Sequence, residues 1–326
     1  MDAQSKTGGG NVSTEPISAS LAPPRESLAV SVVVPTFNRC ASLLRLLESL
    51  ERQTLLHGRF EVVVVDNNST DGTRDAVLRY ASGSRTKVRL LSEPLQGPAH
   101  ARNRGIRESS AAILAFTDDD IEAEPQWLEK ILQGFDEHAA QAVGGRAIPV
   151  WEVDLPDWWM PTYEHIFVRN WGDQPCEVSE VPFFYSLNLS IPREVLSRVG
   201  LFNTRFGPQK GRYLVGEDVD LCRRIHHNGG HLYYLPQAVV RHHIPAERLT
   251  RRFLRRRYYA RGVTLALHRA IEKRPLEMLY QAKRFLVSVP EWLAAGSPAE
   301  RFHSELQARK LAGYLAMAVR LHARYR

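Results

Sequence analysis

A rhythm in the first third limits most strongly what this 326-residue chain can become: a short apolar run, an amphipathic stretch, then another apolar run. The runs are Val30–Val34, Glu61–Val65, Lys87–Leu91 and Ile113–Phe116. Strands that lack polar alternation are buried on both faces, and helical segments between them supply the right-handed crossovers of a parallel sheet. Leu43, Leu44, Leu46, Leu47 and Leu50 form one helical stripe between the first two runs. The expectation is an α/β fold with a mostly parallel, Rossmann-like central sheet flanked by helices. Such sheets bind ligands at the carboxyl ends of their strands.

The net charge of +7 suggests nucleic acid until it is divided along the chain. Residues 1–245 hold 25 Lys and Arg against 30 Asp and Glu, whereas residues 246–326 hold 18 against 6. The positive charge therefore belongs to a tail on a slightly acidic body, which argues for a local basic face and against nucleic acid as partner. Three cysteines, Cys40, Cys176 and Cys222, without a CxxC pair exclude a disulfide framework or a cysteine zinc site and fit a reducing, cytoplasmic setting. No uncharged apolar run reaches the roughly 18 residues of a membrane span, and the polar start carries no secretory signal. Residues 1–27, rich in Gly, Ser, Thr and Pro, read as a disordered leader. Helical periodicity over Glu247–Arg269, about Leu276–Val289, and Pro298 onward marks residues 246–326 as a basic helical extension.

Polar clusters fall where the predicted strands end. Pro35, Thr36, Phe37, Asn38 and Arg39 follow the first, Asp66–Gly72 (DNNSTDG) the second, and Asp118, Asp119 and Asp120 the fourth. In an extended segment Asp118 and Asp120 face one way and Asp119 the other. Two carboxylates facing together repel unless a cation joins them, and a Mg or Mn ion, which completes its shell with phosphate oxygens and water, suits them. A plain alternative is a solvated turn capping a helix that begins near Pro125. Asp66 is placed to accept from a base N–H or a ribose hydroxyl, while Asp71 reads as turn and cap chemistry. In Gly216-Glu217-Asp218-Val219-Asp220-Leu221-Cys222, the stripe of Leu221, Cys222 and Ile225 puts Glu217 and Asp218 at a helix N-terminus. There they either complement the helix dipole or serve as a general base at a pocket mouth.

Together, VVVPTFNR, VVVVDNNSTDGT, GPAHARNRG, FTDDD and GEDVDLCRR, in this order, resemble a family 2 glycosyltransferase of the GT-A fold over about residues 29–245. The later VVRHHIPAERLTRRFLRRRYYARG resembles the extension of a bacterial subgroup. The resemblance implies an inverting, nucleotide-sugar-dependent enzyme, with uridine as the expected base. It implies that Pro35, Thr36 and Asn38 line the base, that Asp66 holds base or ribose, and that Arg102 and Asn103 brace the nucleotide side. Asp118–Asp120 become the DxD motif, with Asp120 the direct metal ligand and Asp118 leaning to the ribose. Asp218 becomes the catalytic base, with Glu217 contacting acceptor or sugar. His242 or His243 is placed to complete the metal shell. Residues 28–120 form the nucleotide half and 121–245 the acceptor half.

The acceptor is expected to be a glycan, a lipid-linked molecule or a small molecule. Trp158, Trp159, Tyr163, Phe167 and Trp171 suit either a sugar platform or ordinary core packing. Arg251, Arg252, Arg255, Arg256 and Arg257, interleaved with Phe253, Leu254, Tyr258 and Tyr259, suit either anionic headgroups, with peripheral contact at the inner face of a membrane, or a solvated helix face. Two other classes compete: a metal-dependent phosphohydrolase, for which DNNSTDGT has the wrong spacing, and a non-catalytic sugar-binding partner in polysaccharide assembly.

Overall fold

Strands β1 (Val30–Thr36) and β2 (Phe60–Asp66) are buried along their whole length, as runs without polar alternation require. The structure, a computed structural model, describes residues 28–179, 183–209, 212–271 and 296–324. The leader and the helix expected over Leu276–Val289 lie outside the described residues. Helix α1 (Cys40–Glu51) turns Leu43, Leu46, Leu47 and Leu50 onto the sheet and leaves Leu44 partly exposed. Helix α2 (Thr73–Gly83) leads to β3 (Lys87–Ser92), and α3 (Pro98–Glu108) leads to β4 (Ile113–Phe116). These strands pair in parallel in the order β3-β2-β1-β4, so Thr36 and Asp66 stand side by side at the carboxyl edge.

Beyond β4 the sheet becomes mixed. The chain continues through β5 (Ile121–Ala123), α4 (Trp127–His138), β6 (Ala142–Trp151), β7 (Cys176–Glu177) and β8 (Leu189–Pro192). Helix α5 (Arg193–Val199), a small ribbon of β9 (Pro208–Gln209) and β10 (Arg212–Tyr213), α6 (Glu217–His227) and β11 (Leu232–Ile244) follow. The path runs β4-β8-β6-β11-β5, with β8 antiparallel to both neighbours and β5 antiparallel to β11. A long irregular segment, rather than a helical crossover, delivers β8, so the crossover rule does not set its direction.

His231–Leu235 and Ala238–Val240, two segments in the sequence pattern, form parts of one strand. Its register against β6 shifts between Leu235 and Val240, a bulge spanning Pro236, which has no N–H to give the ladder. The strand then continues to His242, opposite Ile121.

The tail is integral to the core. After a short turn at Ala246–Arg248, α7 (Arg251–Ile271) packs along α8 (Pro298–Arg324). The two backbones come so close that a Cβ at Gly262 would lie 1.8 Å from the Lys310 carbonyl oxygen, and one at Gly313 would lie 2.2 Å from that of Tyr259. Leu254 and Tyr258 of α7, with Phe302 and Leu306 of α8, are buried in the same cluster as the valines of β1 and β2. Each such burial contributes about 1.5–3 kcal/mol, more than an exposed ion pair can supply. Trp158 packs edge-on against Phe302 at 5.1 Å, and Trp159 packs against Trp151, Tyr163 and Phe167. Trp158, Trp159 and Tyr163 thus take the packing role. Among the described residues, no helix is long and apolar enough to cross a membrane.

Candidate active site

The carboxyl edge of β1, the β4–β5 turn, the start of α6 and one face of α7 enclose a single cavity of about 1340 Å³. Pro35, Thr36, Asn38, Arg102, Asp118, Asp119, Asp120, Glu217, Asp218 and His242 all line it. Asn38 sits at φ 52°, a left-handed conformation that asparagine tolerates, and its side-chain oxygen accepts the Thr70 N–H at 2.7 Å.

Asp66 and Asn103 are not among the lining residues. Asp66 accepts the Ser69 N–H at 2.9 Å, which shapes the loop after β2 beside Thr36. Asn103 spends both ends of its amide on the Phe202 backbone, donating to its carbonyl at 2.8 Å and accepting its N–H at 3.0 Å. It anchors that loop. Asp71 accepts from the backbone N–H groups of Cys40 and Thr73, which is turn chemistry.

The three aspartates do not alternate as an extended segment would, because Asp119 and Asp120 form a turn. All three therefore face the cavity. Asp119, expected to point away, accepts from the Thr36 hydroxyl at 2.9 Å and from Arg39 at 3.1 Å. Asp120 receives Arg39 at 2.6 Å and Arg248 at 3.0 Å. Neither aspartate caps α4, whose first turn has no side-chain cap. Burial, with Asp120 adjacent, pushes the Asp119 carboxyl up to about 7. Burial works in the same direction on Asp120, but His242 and Arg248 outweigh it and hold that carboxyl well below its usual range.

Arg102 joins the two acidic groups. It is 3% exposed, and its guanidinium donates to Asp118 at 2.6 Å and to Glu217 at 2.9 Å. One fixed fork thereby ties the end of β4 to the start of α6. Beside Glu217, the buried Asp218 carboxylate accepts the Val219 N–H at 2.8 Å and the Ser186 N–H at 3.2 Å. Burial, reinforced by Glu217, pushes Asp218 up to about 6, close to the range in which a general base works. Gly216 starts this helix at φ +93°, and a Cβ there would meet Thr264 of α7 at 3.0 Å. The same Thr264 donates to the Val215 carbonyl at 2.7 Å. The tail thus presses on the backbone that presents Asp218.

The histidine pair separates by strand alternation. His242 faces the cavity, with Nε2 3.5 Å from Asp120 Oδ2, while His243 lies 3.5 Å from Glu122 and does not line the cavity. Among the described residues, no group of three or more His, Cys, Asp or Glu is drawn together so as to hold a metal ion. Asp120 Oδ1 is nevertheless buried without a hydrogen-bond partner. An orphaned carboxylate oxygen on a residue whose other oxygen lies 3.5 Å from His242 fits a hard divalent cation that takes most of its shell from substrate phosphates and water.

Sequence reasoning missed most of the cavity's cations. Arg39 ends the VVVPTFNR motif, which named it without giving it a role. Arg169, Arg248, Arg257 and Arg261 also line the cavity. Their signal was the four-residue spacing of Arg257 and Arg261, which puts both on one helix face. The five-arginine patch is divided by its environment. Arg255 pairs with Glu305 through two contacts of 2.8 Å, Arg251 lies over Trp158 and Phe302, and Arg257 turns inward. Arg256 lies 4.1 Å over the Tyr213 ring, and Arg251, Arg252 and Arg256 are all exposed.

A family model described as glycosyl transferase family 2 matches residues 31–200. The validoxylamine A glucosyltransferase of Streptomyces hygroscopicus subsp. jinggangensis is 34% identical over 223 residues, which is 61% of this chain and 52% of that protein. The chain therefore spans about half the length of that relative. A mannosyltransferase from Pyrobaculum calidifontis, solved in complex with GDP-Man and Mn2+, superposes with a TM-score of 0.61 at 22% identity, covering 92% of this chain and 90% of that one. TarS residues 1–349 of Staphylococcus aureus, solved in complex with UDP, gives 0.54 at 18% identity, covering 92% and 93%. At these identities the two structures establish the shared fold.

Proposed function

The chain belongs to glycosyl transferase family 2, and from that premise we propose that it moves a sugar from a nucleoside diphosphate sugar to an acceptor hydroxyl with inversion at the anomeric carbon. The observation that supports this reading is the Arg102 bridge, which ties Asp118 to Glu217, the neighbour of Asp218, in a cavity that Asp118–Asp120 and Asp218 all line. Residues 28–120 are assigned to the nucleotide side and residues 121–245 to the acceptor side, with α7 and α8 closing the latter.

In this reading Pro35, Thr36 and Asn38 receive the nucleoside, and Asp66 acts through the loop it shapes. Asp118 takes the ribose or shares the cation. An acceptor hydroxyl is a poor nucleophile at neutral pH, so its proton passes to Asp218 as the oxygen attacks the anomeric carbon. The carbon–oxygen bond to the diphosphate breaks on the opposite side, and no covalent enzyme intermediate forms. Burial, helped by Glu217, keeps Asp218 only weakly acidic, and Glu217, fixed by Arg102, contacts sugar or acceptor. Asp120, Asp118 and His242 would hold Mg or Mn, which when bound offsets the charge of the departing diphosphate. The donor class is held at nucleoside diphosphate, because the solved relatives carry GDP-Man in one case and UDP in the other.

A thermal-shift panel of nucleotides and nucleotide sugars, with and without Mn2+, tests the assignment. A rise in melting temperature that needs both the metal and one nucleoside diphosphate is expected. Indifference to every nucleoside diphosphate would remove the reading.

A further inference from the structure

The cavity also has a wall of arginines that the proposed chemistry does not use. Arg169, Arg257 and Arg261 line it together, with Lys310 of α8 nearby. None of these three arginines lies at ion-pair distance from a carboxylate among the described residues; their contacts are neutral. Arg169 donates to the carbonyls of Phe183 at 2.8 Å and His165 at 2.7 Å, and stacks 3.8 Å above the Tyr185 ring. Arg261 contacts Nε2 of His165. That imidazole is held neutral, because burial and then Arg261 push it down to about 4. Arg257 is hydrogen-bonded to Tyr213, and its Nε is buried without a hydrogen-bond partner.

Like charges gathered in a partly desolvated wall, with no carboxylate at ion-pair distance among the described residues and only Asp218 bearing on Arg257, are costly, and a bound anion offsets that cost. Position decides which anion. Tyr185, which carries Arg169 on its face, directly precedes Ser186, whose N–H donates to Asp218. The groups that bear on Arg257 are Tyr213, Tyr185 and Asp218, and those that bear on Arg261 are Tyr185, Tyr258, Arg257 and Arg169. The triple aspartate is met by a different set, Arg39, Arg102 and Arg248. The arginine wall therefore adjoins the base rather than the leaving group. Three guanidinium forks match a phosphate ester of about −2 charge better than a single carboxylate.

We propose that Arg169, Arg257 and Arg261 form an anion subsite for the acceptor, taking a phosphate group that the acceptor carries and so setting its hydroxyl at Asp218. This rests on the reading of Asp218 as the base. The phosphate belongs either to a lipid headgroup or to a soluble phosphoalcohol.

The test uses the full chain saturated with nucleoside diphosphate and Mn2+, titrated by calorimetry with glycerol 3-phosphate and, as control, glycerol. A parallel arm measures binding to phosphatidylcholine vesicles with and without phosphatidic acid. Glycerol 3-phosphate is expected to bind the loaded protein and glycerol is not. The R257Q/R261Q variant is expected to lose this binding at least 10-fold while its affinity for the nucleoside diphosphate changes less than twofold. Vesicle binding that needs both phosphatidic acid and these two arginines assigns a lipid source, and glycerol 3-phosphate binding alone assigns a soluble one. Equal response to glycerol and glycerol 3-phosphate in the loaded wild type overturns the proposal. So does a 10-fold loss of nucleotide affinity in R257Q/R261Q, which gives the wall to the donor. Nucleotide binding in the same samples reports separately whether the glycosyltransferase reading stands. Should R257Q/R261Q fail to fold, the wild-type comparison with glycerol and the R261K variant, expected to weaken glycerol 3-phosphate only, decide the matter.

Discussion

Two walls of one cavity are crowded with like charges and solve the problem differently. On the acidic wall every carboxylate has an arginine: Asp118 and Glu217 share Arg102, Asp119 takes Arg39, and Asp120 takes Arg39 and Arg248. On the basic wall Arg169, Arg257 and Arg261 rest on rings, carbonyls and a neutral histidine. The first wall is balanced within the protein, and the second obtains its counter-charge from outside. Asp218 lies where the two meet, paired to neither and raised in pKa by its burial. Internal balance makes a rigid site; deferred balance makes a selective one.

The largest break in this comparison comes from Arg102→Met, which leaves Glu217 and Asp118 without their shared partner. A loss of about 3–5 kcal/mol in unfolding free energy, read by urea denaturation, is expected for a buried charge stripped of its counter-ion. Asp120→Asn comes next. It keeps the shape of the turn and removes the charge, so metal-dependent nucleotide affinity should fall at least about 10-fold by calorimetry, with little change in metal-free binding. The smallest effect belongs to Glu305→Gln, which cuts the outward-facing pair with Arg255. A change within about 1 kcal/mol is expected, because an exposed ion pair is weakly coupled. A loss as large as that of Arg102→Met would mean that the outer face of α7 is as internally balanced as the acidic wall.

The legible part of the molecule is the part in which neighbours in sequence are neighbours in space. Val30–Val34 and Glu61–Val65 announced buried parallel strands because burial on both faces leaves no polar alternation. Their carboxyl ends announced the site because strand topology decides where ligands bind. The turn at Asp119–Asp120 was hidden, since three identical residues give no sign of whether the backbone is extended there. Two adjacent histidines on a strand cannot both face inward, but the choice depended on the register of β11 against β6 across the bulge. Arg257, within the five-arginine patch, suited either anionic headgroups or a solvated helix face, and Arg261 stood outside that patch. Their inward face follows from the close approach of α7 and α8 at Gly262 and Gly313, a contact across about 50 residues that no local pattern encodes.

The most direct measurement compares donor turnover and donor binding in the wild type and in Asp218→Asn, across pH. Wild-type kcat/KM should fall about tenfold per pH unit below about 6, because protonation of Asp218 removes the base form. Asp218→Asn should lose about 10²–10⁴ in turnover and the acid limb with it, while the nucleotide sugar binds as before. Unchanged turnover in Asp218→Asn, or an acid limb that persists in it, would contradict the assignment of Asp218 as the base.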